Sequence, residues 1–133
     1  METIKFRAWD KENKQMVPVD EIRFSLKGDV KGIKWTVNEI ENRVVLEENL
    51  FLMQFTGVHD TNGKPIYEGD IIEASIYGGE TPQILTVEYR KTCFLIDYED
   101  SESDCVPVGL FVGNIKIVGN IYETPGLLEG REE

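Results

Sequence analysis

Two cysteines, one histidine and five prolines are all that this 133-residue chain offers of the residue types that build disulfide frameworks, metal centres and proline-rich linkers. Cys93 and Cys105 are too few for a disulfide scaffold and wrongly spaced for a zinc site, so they read as reduced, buried thiols. With His59 as the sole histidine, a four-ligand zinc site would have to improvise with carboxylates. No apolar run approaches the roughly 18 to 20 residues that a membrane-spanning helix needs. At the N-terminus, Met1 to Arg7, charges interrupt every apolar pair, so no signal-peptide core is formed. The expectation is a cytoplasmic chain with no membrane association.

Positive charge is also scarce, with 14 Lys and Arg against 25 Asp and Glu and a net charge of −11. It is unevenly spread. Residues 1 to 34 carry eight basic and six acidic residues, and residues 35 to 133 carry six and nineteen. Proteins that grip phosphate backbones do so with clustered Lys and Arg, so this acidic body disfavours direct contact with nucleic acid. The asymmetry suits a basic protein partner, or head-to-body pairing between copies of the chain. A second function class follows from the same charge: a DNA mimic whose carboxylates occupy the phosphate-binding groove of a nucleic-acid-binding protein.

The chemistry-bearing motifs fail one by one. His59 and Asp60 are adjacent on a turn-like segment, and adjacent side chains point apart, so they are not a catalytic dyad. Nothing in the sequence brings Cys93 to His59. Asp60-Thr61-Asn62-Gly63-Lys64-Pro65 opens like a calcium loop, but Lys64 and Pro65 stand where an oxygen ligand and the glycine belong, and Ile71 where the closing glutamate belongs. Asp97, Glu99, Asp100, Glu102 and Asp104 lack that spacing too and read as a solvated loop. Gly78-Gly79 and Gly63-Lys64 lack the residues that complete a phosphate loop. No catalytic residue, metal ligand or cofactor is assigned, and the chain reads as non-enzymatic.

What is present is alternation. Ile4, Phe6 and Ala8 share one face opposite Lys5, Arg7 and Trp9, and Ile22, Phe24 and Leu26 alternate with Arg23, Ser25 and Lys27, as in half-buried strands. Gly28-Asp29 and Lys31-Gly32 mark turns before a short strand near Ile33 to Val37. Asn38 to Asn49 fits helix and strand equally well. Leu50 to Phe55 reads as a buried strand ending at Thr56-Gly57, and Asn62-Gly63 and Gly69-Asp70 as reversals. Further strands are expected at Ile84 to Tyr89 and Phe94 to Tyr98, with a loop at Arg90 to Thr92. A last hairpin joins Leu110 to Val112 and Ile115 to Val118 through Gly113-Asn114. The repeat of Val112-Gly113-Asn114-Ile115 as Val118-Gly119-Asn120-Ile121 has too few copies for a solenoid. Thr124 to Leu128 reads as a capped terminal turn with Thr124 as the cap.

This strand count argues for a mainly β (β-rich α+β) domain over residues 1–133: a small barrel or curled antiparallel sheet with few short helical turns. Two lobes are possible divisions, 1–50 and 51–128, followed by a frayed tail at 129–133. Tyr67, Tyr77 and Tyr89 have few cations nearby and fit packing roles, whereas Trp9 sits between Arg7 and Lys11, where an aromatic and a cation can anchor a partner.

Three separated stretches together resemble the YopX-like family of phage and prophage proteins. They are Ile4 to Lys11 with Met16; Gln54 to Gly57 through Asp60, Asn62 to Lys64 and Ile66 to Ile71; and Val118 to Glu123 with Pro125 and Leu127-Leu128. The departures are His59, where a basic or polar residue is commoner, and Gly126 after Pro125. The resemblance implies an SH3-like barrel component, cytoplasmic expression from a phage or prophage, and no established biochemical activity. Within its motifs Asn62, Gly63 and Gly69 have direct readings as turn residues, Asp70 as a side-chain cap, and Tyr67 and Ile71 as core residues. Arg7, Trp9 and Asp10, with the neighbouring Lys11, are left as interaction candidates. The expected function is a protein-binding or self-assembling module whose partner is a host or phage protein or a second copy of the chain.

Overall fold

The computed structural model describes residues 3–74, 82–90, 93–97, 106–107 and 114–129. The fold is mainly β, with a curled antiparallel half-barrel sheet, and the described residues contain 3-10 turns but no α-helix. The backbone divides into two compact units, Lys5–Gln54 and Met1–Ile4 with Phe55–Glu133.

In the first unit, β1 (Phe6–Asp10) and β2 (Gln15–Pro18) form a hairpin, and β1 pairs on its other side with the first half of β6 (Leu50–His59). A second sheet is the meander of β3 (Glu21–Phe24), β4 (Val30–Asn38) and β5 (Glu41–Leu46). Alternation sends Ala8 and Val17 to the same side, where they join Ile33 and Val45 in a buried cluster; Ile22, Trp35, Leu50 and Leu52 pack against it. The segment with two readings, Asn38 to Asn49, is therefore mostly strand, closed by a 3-10 turn over Glu47–Asn49. Pairing with β4 decides it, and that pairing aligns Val45 with Ile33.

Lys31-Gly32 is not a turn. Gly32 lies inside β4 because β5 runs so close that a Cβ there would meet the Val45 carbonyl oxygen at 2.7 Å. The turn belongs to Ser25–Asp29, where Ser25 Oγ accepts from Lys27 N and Asp29 N.

In the second unit, the later part of β6 pairs with β7 (Pro65–Tyr67). Thr56-Gly57 does not end β6; the strand continues past an irregularity to His59. A five-stranded antiparallel sheet has the order β11-β10-β9-β8-β12, from β8 (Asp70–Ala74), β9 (Gln83–Arg90), β10 (Cys93–Asp97), β11 (Val106–Pro107) and β12 (Ile115–Asn120). Ile66, Ile72, Ala74, Leu85, Val87 and Ile115 form its core. Ile71 is fully buried, and Tyr67 is half-buried with its ring 5.8 Å from that of Phe55. Gly63 and Gly69 both have positive φ, the backbone state that glycine tolerates without a Cβ clash.

Buried polar groups lock the reversals. Asp60 Oδ1 accepts from Asn62 N and Lys64 N, each at 2.9 Å, and Oδ2 accepts from Ile117 N of β12 at 3.1 Å. Beside it, Thr61 N donates to Ile115 O and Thr61 Oγ1 accepts from Ile115 N. Asp70 Oδ2 accepts from Tyr67 N across the Glu68-Gly69 turn. Asn120 Oδ1 accepts from Tyr122 N and Glu123 N, while Nδ2 donates to Glu123 Oε1. Thr124 does not cap the terminal 3-10 turn, Pro125–Leu128. Its hydroxyl instead accepts from Asn120 N and donates to Asn120 O.

The hairpin of β9 and β10 is present as expected, but Arg90 belongs to β9, paired to Cys93, and not to the loop. The strand expected at Leu110 to Val112, the loop from Glu99 to Asp104, Cys105, Gly78-Gly79, Tyr77 and the end of the tail lie outside the described residues.

Candidate interaction surface on the first strand

β1 is bordered on both sides, so its register fixes the neighbours of every candidate residue. Arg7 lies opposite Pro18 of β2 and Met53 of β6, and Trp9 lies opposite Met16 and Phe51. Side chains directly opposite one another in antiparallel strands share a face. Met16, Trp9 and Phe51 therefore form one row across three strands, on the side opposite Ala8, Val17 and Leu52. Exposure rises along this face from Met53, at 3%, to Phe51, at 42%. Met16, Arg7 and Trp9 are half-buried.

Lys11 extends the row. Its backbone N donates to Asn49 O at 2.9 Å, which ties the start of the β1–β2 turn to the residue before β6. Its Nζ sits 4.7 Å from the centroid of the Phe51 ring, within cation–π range. An ammonium on an aromatic face, next to a Trp and a Met, sets a hydrogen-bond donor beside apolar area.

Asp10 is elsewhere. It is buried at the end of β1, where Oδ1 accepts from Glu12 N at 3.0 Å and Asn13 N at 3.3 Å, and Oδ2 accepts from Asn13 Nδ2 at 2.8 Å. Lys14, with φ of 53°, completes the reversal. Of the four candidates, the structure brings Arg7, Trp9 and Lys11 to one face and gives Asp10 the task of holding the turn. Met16 and Phe51 were missed as members of the face. Hairpin parity was the available signal for Met16; Phe51 enters through a pairing forty residues away in sequence, which no local pattern carries.

His59 ends β6, exposed, with its ring edge-on to Phe55 at 5.3 Å. Cys93 lies on β10. Among the described residues no group of three or more His, Cys, Asp or Glu is gathered closely enough to hold a metal ion. No helix among them is long and apolar enough to cross a membrane.

The whole fold is shared with solved proteins. The X-ray structure of protein yopX from Bacillus subtilis is 26% identical, with a TM-score of 0.68 over 99% of this chain and 100% of that one. The crystal structure of protein EF1440 from Enterococcus faecalis is 23% identical and has the same TM-score over 96% and 99%. No curated protein matches the sequence. The model of the YopX protein family matches residues 5–129, nearly the full length, and the chain belongs to that family.

Proposed function

We propose that the protein is a non-enzymatic binding module of a phage or prophage that engages a host or phage protein in the cytoplasm through the outer face of β1. The observation that supports this reading is the Met16–Trp9–Phe51 row with Lys11 over Phe51. Trp, Met and aromatic side chains are the types enriched where one protein anchors in another, and here they lie next to a cation on a rigid strand. Phe51→Ala and Lys11→Glu alter this face without entering the core. A pull-down from nuclease-treated lysate is expected to recover one stoichiometric protein with the wild type and lose it with both variants. Recovery of nothing, or of the same protein with both variants, overturns the reading.

A second reading draws on charge. Lys5–Gln54 carries nine basic and nine acidic residues, so the remaining residues hold the whole net charge of −11, with five basic and sixteen acidic. An acidic unit of this kind suits the DNA-mimic role. Its mark is capture of a nucleic-acid-binding protein that releases at high salt and is indifferent to Phe51→Ala.

A further inference from the structure

Of the seven asparagines in the chain, only Asn62 precedes a glycine. An asparagine so placed can react with its own backbone: the nitrogen of the next residue attacks the side-chain carbonyl carbon, and glycine, with no Cβ, hinders the approach least. Asn62 and Gly63 are both exposed, and nothing lies within 4 Å of the place a Cβ would take on Gly63. Among the described residues the Asn62 side-chain amide has no hydrogen-bond partner; only its backbone N is engaged. The carbon to be attacked is therefore open to solvent and to the chain. The nucleophile is not. Gly63 N donates its one hydrogen to Asp60 O at 3.0 Å. Asn62 N and Lys64 N donate to Asp60 Oδ1, and Asp60 N donates to Lys64 O at 2.8 Å. The peptide that must turn toward the side chain is thus held on both sides by one residue.

We infer that Asn62 is a site of spontaneous deamidation whose rate is set by release of this turn from Asp60. In the reaction Gly63 N gives up its proton and bonds to Asn62 Cγ, the Cγ–Nδ2 bond breaks, and Nδ2 leaves as ammonia. A five-membered imide remains. Water then adds to one of its two carbonyl carbons and breaks that carbon's bond to Gly63 N. Addition at Cγ leaves aspartate at position 62, and addition at the main-chain carbon leaves isoaspartate, with the chain routed through Cγ. In sum, one amide and one water become one carboxylate and one ammonium ion. Either product puts a second carboxylate beside that of Asp60, and like charges so close are unfavourable. Isoaspartate also lengthens the main chain inside the ring of bonds around Asp60. That ring is joined to β12 through Asp60 Oδ2 and Thr61, which bond Ile117 N and Ile115 N, so modification loosens the attachment of the loop to β12. The inference is independent of the β1 face.

The full chain is incubated in warm, mildly alkaline buffer, native and in guanidinium chloride. Conversion at position 62 is followed by peptide mapping as a mass gain of about 1 Da, with the two products resolved by chromatography. Conversion is expected in both conditions and about tenfold or more slower in the native protein, where only molecules with an opened turn react. Asp60→Ala removes the acceptor on both sides of the reacting peptide and is expected to speed native conversion about tenfold, with no change in denaturant. Asp60→Ser keeps one acceptor and is expected to fall between the two, which keeps the gate measurable if Asp60→Ala does not fold. Asn62→Gln would need a six-membered ring and is expected to abolish the mass gain at this position. Native protein already converted, separated by anion exchange, should show faster amide exchange at Ile115 and Ile117. Native conversion as fast as in denaturant, no conversion in either condition, or a native rate indifferent to both Asp60 variants overturns the inference.

Discussion

Asp60 shows what one buried carboxylate does in this fold. Burial alone pushes its carboxyl pKa upward. The backbone N–H groups of Lys64, Ile117 and Asn62, with the Lys64 charge, outweigh that and hold it below the ordinary aspartate value. The ionised form is therefore favoured more by the folded than by the unfolded chain. Its contribution to stability is complete above the ordinary aspartate range and is lost as pH falls through that range to the depressed folded value. Denaturant midpoints measured from pH 7 downward should fall with a proton uptake on unfolding that Asp60→Asn reduces. Asp60→Ala takes the acceptor from three part-buried backbone donors, one of them on β12, and is expected to cost about 1–2 kcal/mol in chemical denaturation. Asp60→Asn keeps one oxygen acceptor and is expected to cost less. A neutral Asp60→Ala would mean that the Asn62–Gly63 reversal and β12 hold without the carboxylate.

At the scale of elements, β4 and β5 separate what sequence reveals from what it hides. Gly32 has ordinary strand neighbours, and Lys31-Gly32 resembles a turn only because glycine is read locally as a breaker. In the fold it clears a path for the Val45 carbonyl of the adjacent strand. Gly32→Ala is therefore expected to destabilise the protein by about 1–3 kcal/mol through displacement of β5, measured by denaturation, with faster amide exchange along Glu41–Leu46. Gly126→Ala has open space and no positive φ, and is expected to be neutral or slightly stabilising, by about 0.5 kcal/mol. Equal effects at the two positions would remove close approach as the reason for Gly32. The same contrast explains the rest of the fold. Asn62-Gly63, Glu68-Gly69-Asp70 and the β9–β10 hairpin were legible because their chemistry is complete within a few residues. The state of Asn38 to Asn49, the extension of β6 to His59 and the second role of Thr124 depend on partners elsewhere in the chain or on a hydroxyl with two available geometries. In the candidate surface, Arg7, Trp9 and Lys11 were legible from their order. Asp10 was misplaced among them because its Asx-type turn with Glu12 and Asn13 competes with outward display, a local contest that composition does not weigh.

For the molecule as a whole, acidic residues outnumber basic ones by eleven. Among the described residues, the ion pair Arg43–Glu41 is exposed and Lys34–Glu21 partly so, and such surface pairs contribute little to stability. Against them stands a net charge of −11, all of it outside Lys5–Gln54, which is balanced. An excess of like charge in the part of the sequence outside Lys5–Gln54 opposes the folded state through self-repulsion. Added salt screens exposed charges beyond about 8 Å at physiological ionic strength, whereas the short hydrogen bonds of buried Asp60, Asp70 and Asn120 are little affected. The melting temperature should therefore rise with sodium chloride from low ionic strength to about 0.3 M, by about 2–6 °C for a chain of this size if screening recovers about 1 kcal/mol. Scanning calorimetry at fixed pH near 7 measures it. Because the excess is localised, the rise should shrink when acidic residues outside Lys5–Gln54 are neutralised, for instance in Glu123→Gln and Glu129→Gln together, and persist when Glu47 and Glu48 are neutralised instead. A melting temperature that falls with salt would place the balance with the surface ion pairs and leave the acidic unit without an internal cost. Its charge would then be explicable by solubility alone rather than by a strongly basic partner whose binding relieves the repulsion.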